Sequence, residues 1–293
     1  VGKRFVAASL GTLLASSGKS VAVVDLDLGG ANLHTFLGLP APEDGLNRFL
    51  DKTESRLARV ATGTHVENLF LISSNNCAME IANLFHAQKI KLLNAIRELP
   101  FDFVLLDLGA GTNFNTLDFF LISHQGIFIC TPEPTAIENA FRFVKAASLR
   151  ALKRIVKTSD FNRLAKAVVS DKRASRLQAD DIFDLVSKAD PVNAPLLKAK
   201  IGQFRFSLIL NQFRRSAGSA LGDSITTVCN RHFHSPFEFL GRIDFDDSVI
   251  DTIYTRRTYI DNFPDTPTAM QLKQIGSRLL AHFAGPESQD GNP

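Results

Sequence analysis

The 293 residues are 45 % hydrophobic and 22 % charged, with a formal net charge of +3. That supplies core for one large or two ordinary domains, and too small a basic excess to imply nucleic-acid binding by itself. No apolar run reaches the ~20 residues of a membrane span, and the opening VGKRFVAASLG lacks the charged, apolar and cleavage regions of a secretory signal. Cys77, Cys130 and Cys229 are widely spaced without a C-x-x-C pair, which argues against a disulfide framework or a zinc or iron-sulfur knuckle and points to a reducing cytoplasm.

Apolar residues Phe5, Val6, Leu10, Leu13 and Leu14 recur at helical spacing, and Gly18 closes that helix. The strand SVAVVDLD follows, apolar at consecutive positions, as in a parallel strand covered on both faces. The same signature returns at Leu69 to Ser74, Phe101 to Gly109, Gly126 to Pro134, Phe206 to Phe213 and Phe237 to Asp244. Helical patterns separate them at Ala78 to Leu99, Phe114 to Ser123, Ala136 to Ala147 and Gly218 to His232. This alternation predicts an α/β fold with a doubly wound, mostly parallel sheet whose ligands gather at the carboxyl ends of the strands.

From Leu149 to Gln203 the pattern is helical throughout, a helical insertion that includes ADDIFDLVSKAD and PVNAPLLKAKIG. The domain is expected to span 1–285 with this 149–203 insertion inside it, and 286–293 to be a disordered tail. In the last helix Met270, Leu272, Ile275, Leu279, Leu280 and Phe283 form an apolar stripe, read as a core-facing side and not a membrane anchor. In CNRHFHSP, Leu221, Ile225, Val228, Cys229 and Phe233 share one helical face, so Cys229 is read as core and His232 and His234 as helix-end surface groups. The basic positions Arg150, Lys153, Arg154 and Lys157 are read as a solvated helix face. The 24 phenylalanines with no tryptophan have no functional account at this level.

Three acids and one dipeptide carry the chemistry. Gly2-Lys3 precedes a helix; there glycine allows an anion to approach the backbone, helix-terminal amides donate to it and lysine neutralises it. Asp107 closes the strand FDFVLLD, suited to holding Mg²⁺ through a water, and Gly109 and Gly111 would admit a terminal phosphate to backbone amides. Asp25 could serve the same metal, Asp27 could orient or deprotonate an attacking water, and Asn32 could reach the same phosphate or a second subunit. Singly, each Asp reads as a turn former or helix cap; together, in this topology, they point to a nucleotide site.

These motifs, with TPEPTAIENAFRFVK and LILNQF, resemble the deviant Walker A ATPases of the MinD/ParA group, and DLDLGGANLHTFLG is most similar to its flagellar-number branch, FlhG or FleN. The resemblance covers Val1 to about Arg150 and Phe206 to about Phe283. It implies an ATP/ADP and Mg²⁺ site in which Gly2, Lys3, Arg4 and Phe5 form the phosphate-binding turn, Lys3 and Asp27 are catalytic, and Asp25 and Asp107 hold the metal. It further implies Asn32 and Gly109 near the phosphates, Asn211 on the adenine edge, and Ile243, Asp244 and Phe245 walling the base. The family's loop reads K-G-G-x-G-K-[S/T], and by the resemblance Val1 falls within it.

Arg4 stands where that loop has the metal-ligating hydroxyl, and a guanidinium cannot coordinate a cation. The implied protein is a nucleotide-dependent homodimer that engages a regulatory protein partner, with DNA or membrane as further surfaces. It would be cytoplasmic or peripheral at the inner face of the membrane, in flagellar placement or chromosome partitioning. Two rivals are a nucleotide-binding scaffold without turnover, favoured by Arg4, and an iron-sulfur carrier of the related Mrp type, which the absence of a cysteine pair places last.

Overall fold

The computed structural model describes residues 2–77, 85–155, 202–214, 218–232 and 235–283, together with 188, 191, 195 and 199. They belong to two compact units, Val1–Ala110 with Leu240–Pro293, and Gly111–Phe239.

In the first unit, α1 (Lys3–Ser16) ends where Gly18 takes a positive φ of 83°, and the chain turns into β1 (Val21–Leu26), buried at every residue. The sheet has the order β2-β3-β1-β4, where β2 is Thr62–Gly63, β3 is Leu69–Ile72 and β4 is Phe103–Leu108. Both β3 and β4 run parallel to β1, and β2 alone is antiparallel to its neighbour. Two residues are too few for a hydrophobic period, which is why β2 left no sign in the sequence.

The expected strands are all present, because consecutive apolar residues have somewhere to go on both faces. Val21, Val23, Leu69 and Leu71 pack with Ala8, Leu14 and Ala15 of α1 and with Leu33 and Leu37. Leu33 opens the short helix α2 (Leu33–Phe36), and α3 (Leu46–Leu50) and α4 (His86–Arg97) follow in chain order.

The second unit holds β5 (Gln125–Cys130), β6 (Arg205–Phe213) and the start of β7 (Phe237–Asp244) in that order, with β5 and β6 parallel. Its helices are α5 (Phe114–Phe120), α6 (Pro134–Ile155) and α7 (Leu221–His232). Five of the 24 phenylalanines gather here. Phe120 stacks on Phe206 at 5.8 Å, and Phe128, Phe143 and Phe237 complete a cluster of ring contacts between 4.7 and 6.2 Å. Rings in offset and edge-on pairs fill this core without a tryptophan.

After β7 come α8 (Ser248–Thr255), α9 (Tyr259–Asn262) and α10 (Pro267–Phe283), all in the first unit. Helix α10 buries Leu272, Ile275 and Leu279, so its core-facing reading is right for those residues. Met270 is not part of that face: it is 54 % exposed, because it lies about 180° from Leu279 around a 3.6-residue helix. Phe283, at the last position, is 49 % exposed and meets Phe103 only edge-on at 5.4 Å. On α7 the buried arc includes Thr226 and Cys229; Val228, expected on it, is exposed.

The basic face of α6 also needs correction. Arg150 donates to both oxygens of Asp118, at 2.8 and 2.9 Å, and lies over the Phe114 ring. Asp118 is 2 % exposed, so a buried charge on α5 claims a residue the sequence pattern leaves to solvent. Residues 149–155 continue α6. Apart from isolated positions, the rest of the 149–203 insertion, the start of the helix expected from Ala78, His234 and the 286–293 tail lie outside the described residues. Among the described residues no helix is long and apolar enough to cross a membrane.

Removing one partner of a buried pair strands the other charge, so Asp118→Ala and Arg150→Ala should each lower unfolding free energy by about 3 kcal/mol. The double variant should lose clearly less than the sum, which urea titration of the four proteins checks.

Candidate functional site

The site begins with the register of two strands. Parallel pairing sets Asp25 on β1 opposite Asp107 on β4, so apolar runs of equal phase deliver two carboxylates to neighbouring positions at the carboxyl edge. Both are buried, Asp25 at 0 % and Asp107 at 4 % exposure. Burial first, and then the Asp25 charge, push the Asp107 carboxyl up to about 7. Asp25 is also raised by burial, although two backbone N–H groups oppose this.

Those N–H groups show what Asp25 does locally. Its Oδ1 accepts from the Asp27 amide and its Oδ2 from the Leu33 amide, both at 3.1 Å. One carboxylate therefore organises the loop between β1 and α2, which carries Asp27, Gly30 and Asn32. Asn32 is exposed and precedes α2 without a side-chain capping bond.

Helix α1 brings positive charge to the same edge. Gly2, its N-terminal cap, has a φ of 77°, a left-handed conformation that glycine adopts without strain. The first turn carries no acidic residue and no side-chain cap. Helix geometry leaves the amides of Lys3, Arg4 and Phe5 without intrahelical acceptors; the first intrahelical bond runs from the Val6 amide to the Gly2 carbonyl. Lys3 is lowered by burial, and the charges of Asp107 and Asp27 oppose that shift, so its ammonium feels both acids. Phe5 turns inward, 4 % exposed, and meets the Tyr259 ring edge-on at 5.2 Å, which leaves its backbone as the part able to face an anion.

Arg4 dominates the centre. Its Nη2 donates to Asp27 Oδ2 at 2.6 Å and to the Gly30 carbonyl at 2.5 Å, and its Nε lies 3.7 Å from Asp107 Oδ2. Gly109 lies beside it, where a Cβ would sit 3.0 Å from Asp27 Oδ1, a close approach that glycine avoids. Thus Gly2, Lys3, Arg4, Asp25, Asp27, Asp107 and Gly109 share one edge of one unit, with Asn32 at its margin.

The residues expected around the base are distributed differently. Ile243 is 1 % exposed and belongs to the core, so its side chain offers nothing to a ligand. Asp244 is engaged by Gln271, which accepts from its amide at 2.8 Å and donates to Oδ2 at 2.9 Å. Phe245 is 42 % exposed. Asn211 lies on β6 in the second unit and is 3 % exposed. Sequence reading missed Ser73 and Ser74, which follow β3 at the carboxyl edge beside β1; Ser74 is buried with its hydroxyl unpartnered among the described residues. Polar residues closing an apolar strand are the signal already used for Asp25, and it applied there too. The three thiols are free, and burial pushes Cys77 and Cys229 up to about 12 and Cys130 to about 11, which keeps them protonated.

A helix start with free amides, a left-handed glycine and a lysine set over buried strand-end acids is the arrangement of a phosphate-binding α/β protein. The family comparison agrees: residues 1–258 match the CobQ/CobB/MinD/ParA nucleotide binding domain. The chain belongs to that family. It is 20 % identical over 280 residues to the antiactivator FleN of Pseudomonas aeruginosa, covering 95 % of this chain and 82 % of that one. A putative septum site-determining protein MinD of Chlorella vulgaris is 26 % identical over 200 residues, 68 % of this chain and 67 % of its own. Among solved structures, the MinD of Pyrococcus horikoshii complexed with Mg-ADP superposes with a TM-score of 0.63 at 18 % identity, covering 97 % of this chain and 94 % of that one. The mostly parallel α/β architecture is that of these MinD/ParA ATPases.

The acids do not fit Mg²⁺ as they stand. Octahedral Mg²⁺ requires oxygen donors free to face it. Here both oxygens of Asp25 hold backbone amides, and Asp27 and Asp107 face a guanidinium. Arg4, a cation, stands where the resemblance expects a metal-ligating hydroxyl, and among the described residues no group of three potential ligands is placed to hold a metal.

A carboxyl raised from 3.8 to about 7 binds its proton more tightly in the fold than in the unfolded chain. Its ionisation therefore weakens folding as pH rises from about 4 to about 7. Asp107→Asn should raise unfolding free energy at pH 8 by about 1–3 kcal/mol and change it little at pH 4, as guanidinium titrations at the two pH values would record.

Proposed function

We propose that this chain binds adenine nucleotide at the carboxyl edge of β1 and β4 and works as a nucleotide-controlled switch of the MinD/ParA type in spatial organisation of the cell. The observation that supports it most is the joint placement of Gly2, Lys3 and Arg4 at an uncapped helix start above Asp25, Asp27 and Asp107. Lys3 and the amides of residues 3–5 would receive the phosphates, Gly109 would let the Asp27 loop approach them, and Asn32 would contact the outermost phosphate. Asn211 and the Asp244 and Phe245 segment are the proposed base contacts.

In this reading 1–285 works as one ATPase domain, nucleotide drives homodimerisation, and the 149–203 insertion presents a surface to a regulatory protein. Two relatives support a protein partner and a regulatory role: MinD of Aquifex aeolicus is known in a MinC:MinD complex, and FleN of Pseudomonas aeruginosa is an antiactivator. Flagellar placement is the preferred output, with chromosome partitioning its sibling; the location would be cytoplasmic or peripheral at the inner membrane face.

A second reading, binding without turnover, is favoured by one contact. Hydrolysis would use Asp27 to orient or deprotonate the attacking water, whereas Arg4 already occupies Asp27 Oδ2.

Titration calorimetry of ADP and ATP into the protein tests the first reading: measurable binding is expected, and Lys3→Ala should weaken it at least about tenfold, the scale of one charge-assisted phosphate contact. Absence of heat with either nucleotide would remove the proposal. Phosphate release from ATP separates the second: sustained turnover by the unaltered chain would exclude a scaffold that only binds.

A further inference from the structure

We infer that Arg4 is a tethered cation that takes the place of a divalent metal in the acid cluster, so that nucleotide phosphates enter this site without a metal ion. The inference deepens the nucleotide reading by specifying which charge meets the phosphates. Its first support is the mismatch between the donor set and Mg²⁺: both oxygens of Asp25 and Oδ2 of Asp27 are engaged by N–H groups, and the Arg4 guanidinium lies 3.7 Å from Asp107 Oδ2. Its second is the reach of the guanidinium, which spans Asp27 Oδ2, the Gly30 carbonyl and Asp107 Oδ2 at 2.6, 2.5 and 3.7 Å.

An arginine stays protonated throughout the accessible pH range and donates in several directions, so it cannot leave as a bound ion can. Its position is fixed from behind. Arg4 lies in the first turn of α1, and the next residue, Phe5, is locked in the core against Tyr259. Tyr259 is itself held by hydroxyl bonds to Asp246 and Thr266. The cation is therefore delivered to the acids by the fold itself, at a site where Lys3 contributes the second positive charge.

The test starts with the unaltered 293-residue chain free of nucleotide, titrated with Mn²⁺ and read by electron paramagnetic resonance. No stoichiometric Mn²⁺ binding is expected at submillimolar concentration. Arg4→Ser should acquire a single Mn²⁺ site that is lost again when Asp107→Asn is added, whereas Arg4→Lys should acquire none. Calorimetry of ADP should give affinities within about twofold in EDTA and in excess Mg²⁺ for the unaltered chain, and an Mg²⁺ preference of about tenfold or more for Arg4→Ser. Stoichiometric Mn²⁺ on the unaltered chain that vanishes with Asp107→Asn would overturn the inference. So would a folded Arg4→Ser chain that binds no Mn²⁺. Should that variant fail to fold, the titration of the unaltered chain and the EDTA comparison decide. Because the Mn²⁺ measurement uses no nucleotide, failure of this inference is distinguishable from failure of the nucleotide reading.

Discussion

Two carboxylates placed side by side on adjacent buried strands are the constraint around which this end of the molecule is arranged. Asp25 and Asp107 are opposite one another in the β1 and β4 register, and each is removed from water. Desolvation and like-charge repulsion both act against ionisation, so the pair can exist as charges only where hydrogen bonds and cations are supplied in fixed positions. The chain supplies both. Amides of Asp27 and Leu33 satisfy Asp25, and the first turn of α1 carries Lys3 and Arg4 to the same edge. The loop geometry, the start of α1 and the Phe5 and Tyr259 contact behind it are all conditions for holding those charges still.

Most of the architecture could be read in the sequence because parallel strands buried on both faces have a signature that little else shares. Five of the six expected strands came from largely apolar runs and β7, FEFLGRID, from a more broken one, and their order with helices implied the α/β class. What escaped had no period to display. Thr62–Gly63 forms a two-residue strand, α2 and α9 are four residues long, and a single helical turn cannot show amphipathic spacing. Arg150 was misassigned for a different reason: a charged position on a helix reads as solvated unless its partner is known, and Asp118 lies 32 residues away in the chain.

At the site, residue types and order were legible while bonding was not. The strand-end acids and the Gly2-Lys3 helix start announced themselves through local pattern. That Asp25 would spend both oxygens on the backbone of its own loop, or that Arg4 would reach back to Gly30, depends on how the loop folds. Ile243 shows the opposite limit. A segment aligned with a ligand-facing loop by resemblance is still the end of a strand, and there Ile243 is buried between the exposed Arg242 and the half-buried Asp244.

Among the three acids, Asp107 is the one that structure alone explains least. Asp25 is accounted for by the loop it organises, and Asp27 by its short bond to Arg4. Asp107 sits at 4 % exposure, weakens the fold when ionised, and is matched by an ion pair of 3.7 Å, too long for a good hydrogen bond. A neutral side chain of the same size would fill the position at lower cost. A buried group whose charge is unfavourable to folding and incompletely compensated within its own unit is the pattern expected where that charge acts on something outside the chain. Lys3, Arg4 and the free amides at the start of α1 lie at the same edge, and under the proposed nucleotide reading Asp107 would orient these cationic groups toward phosphate.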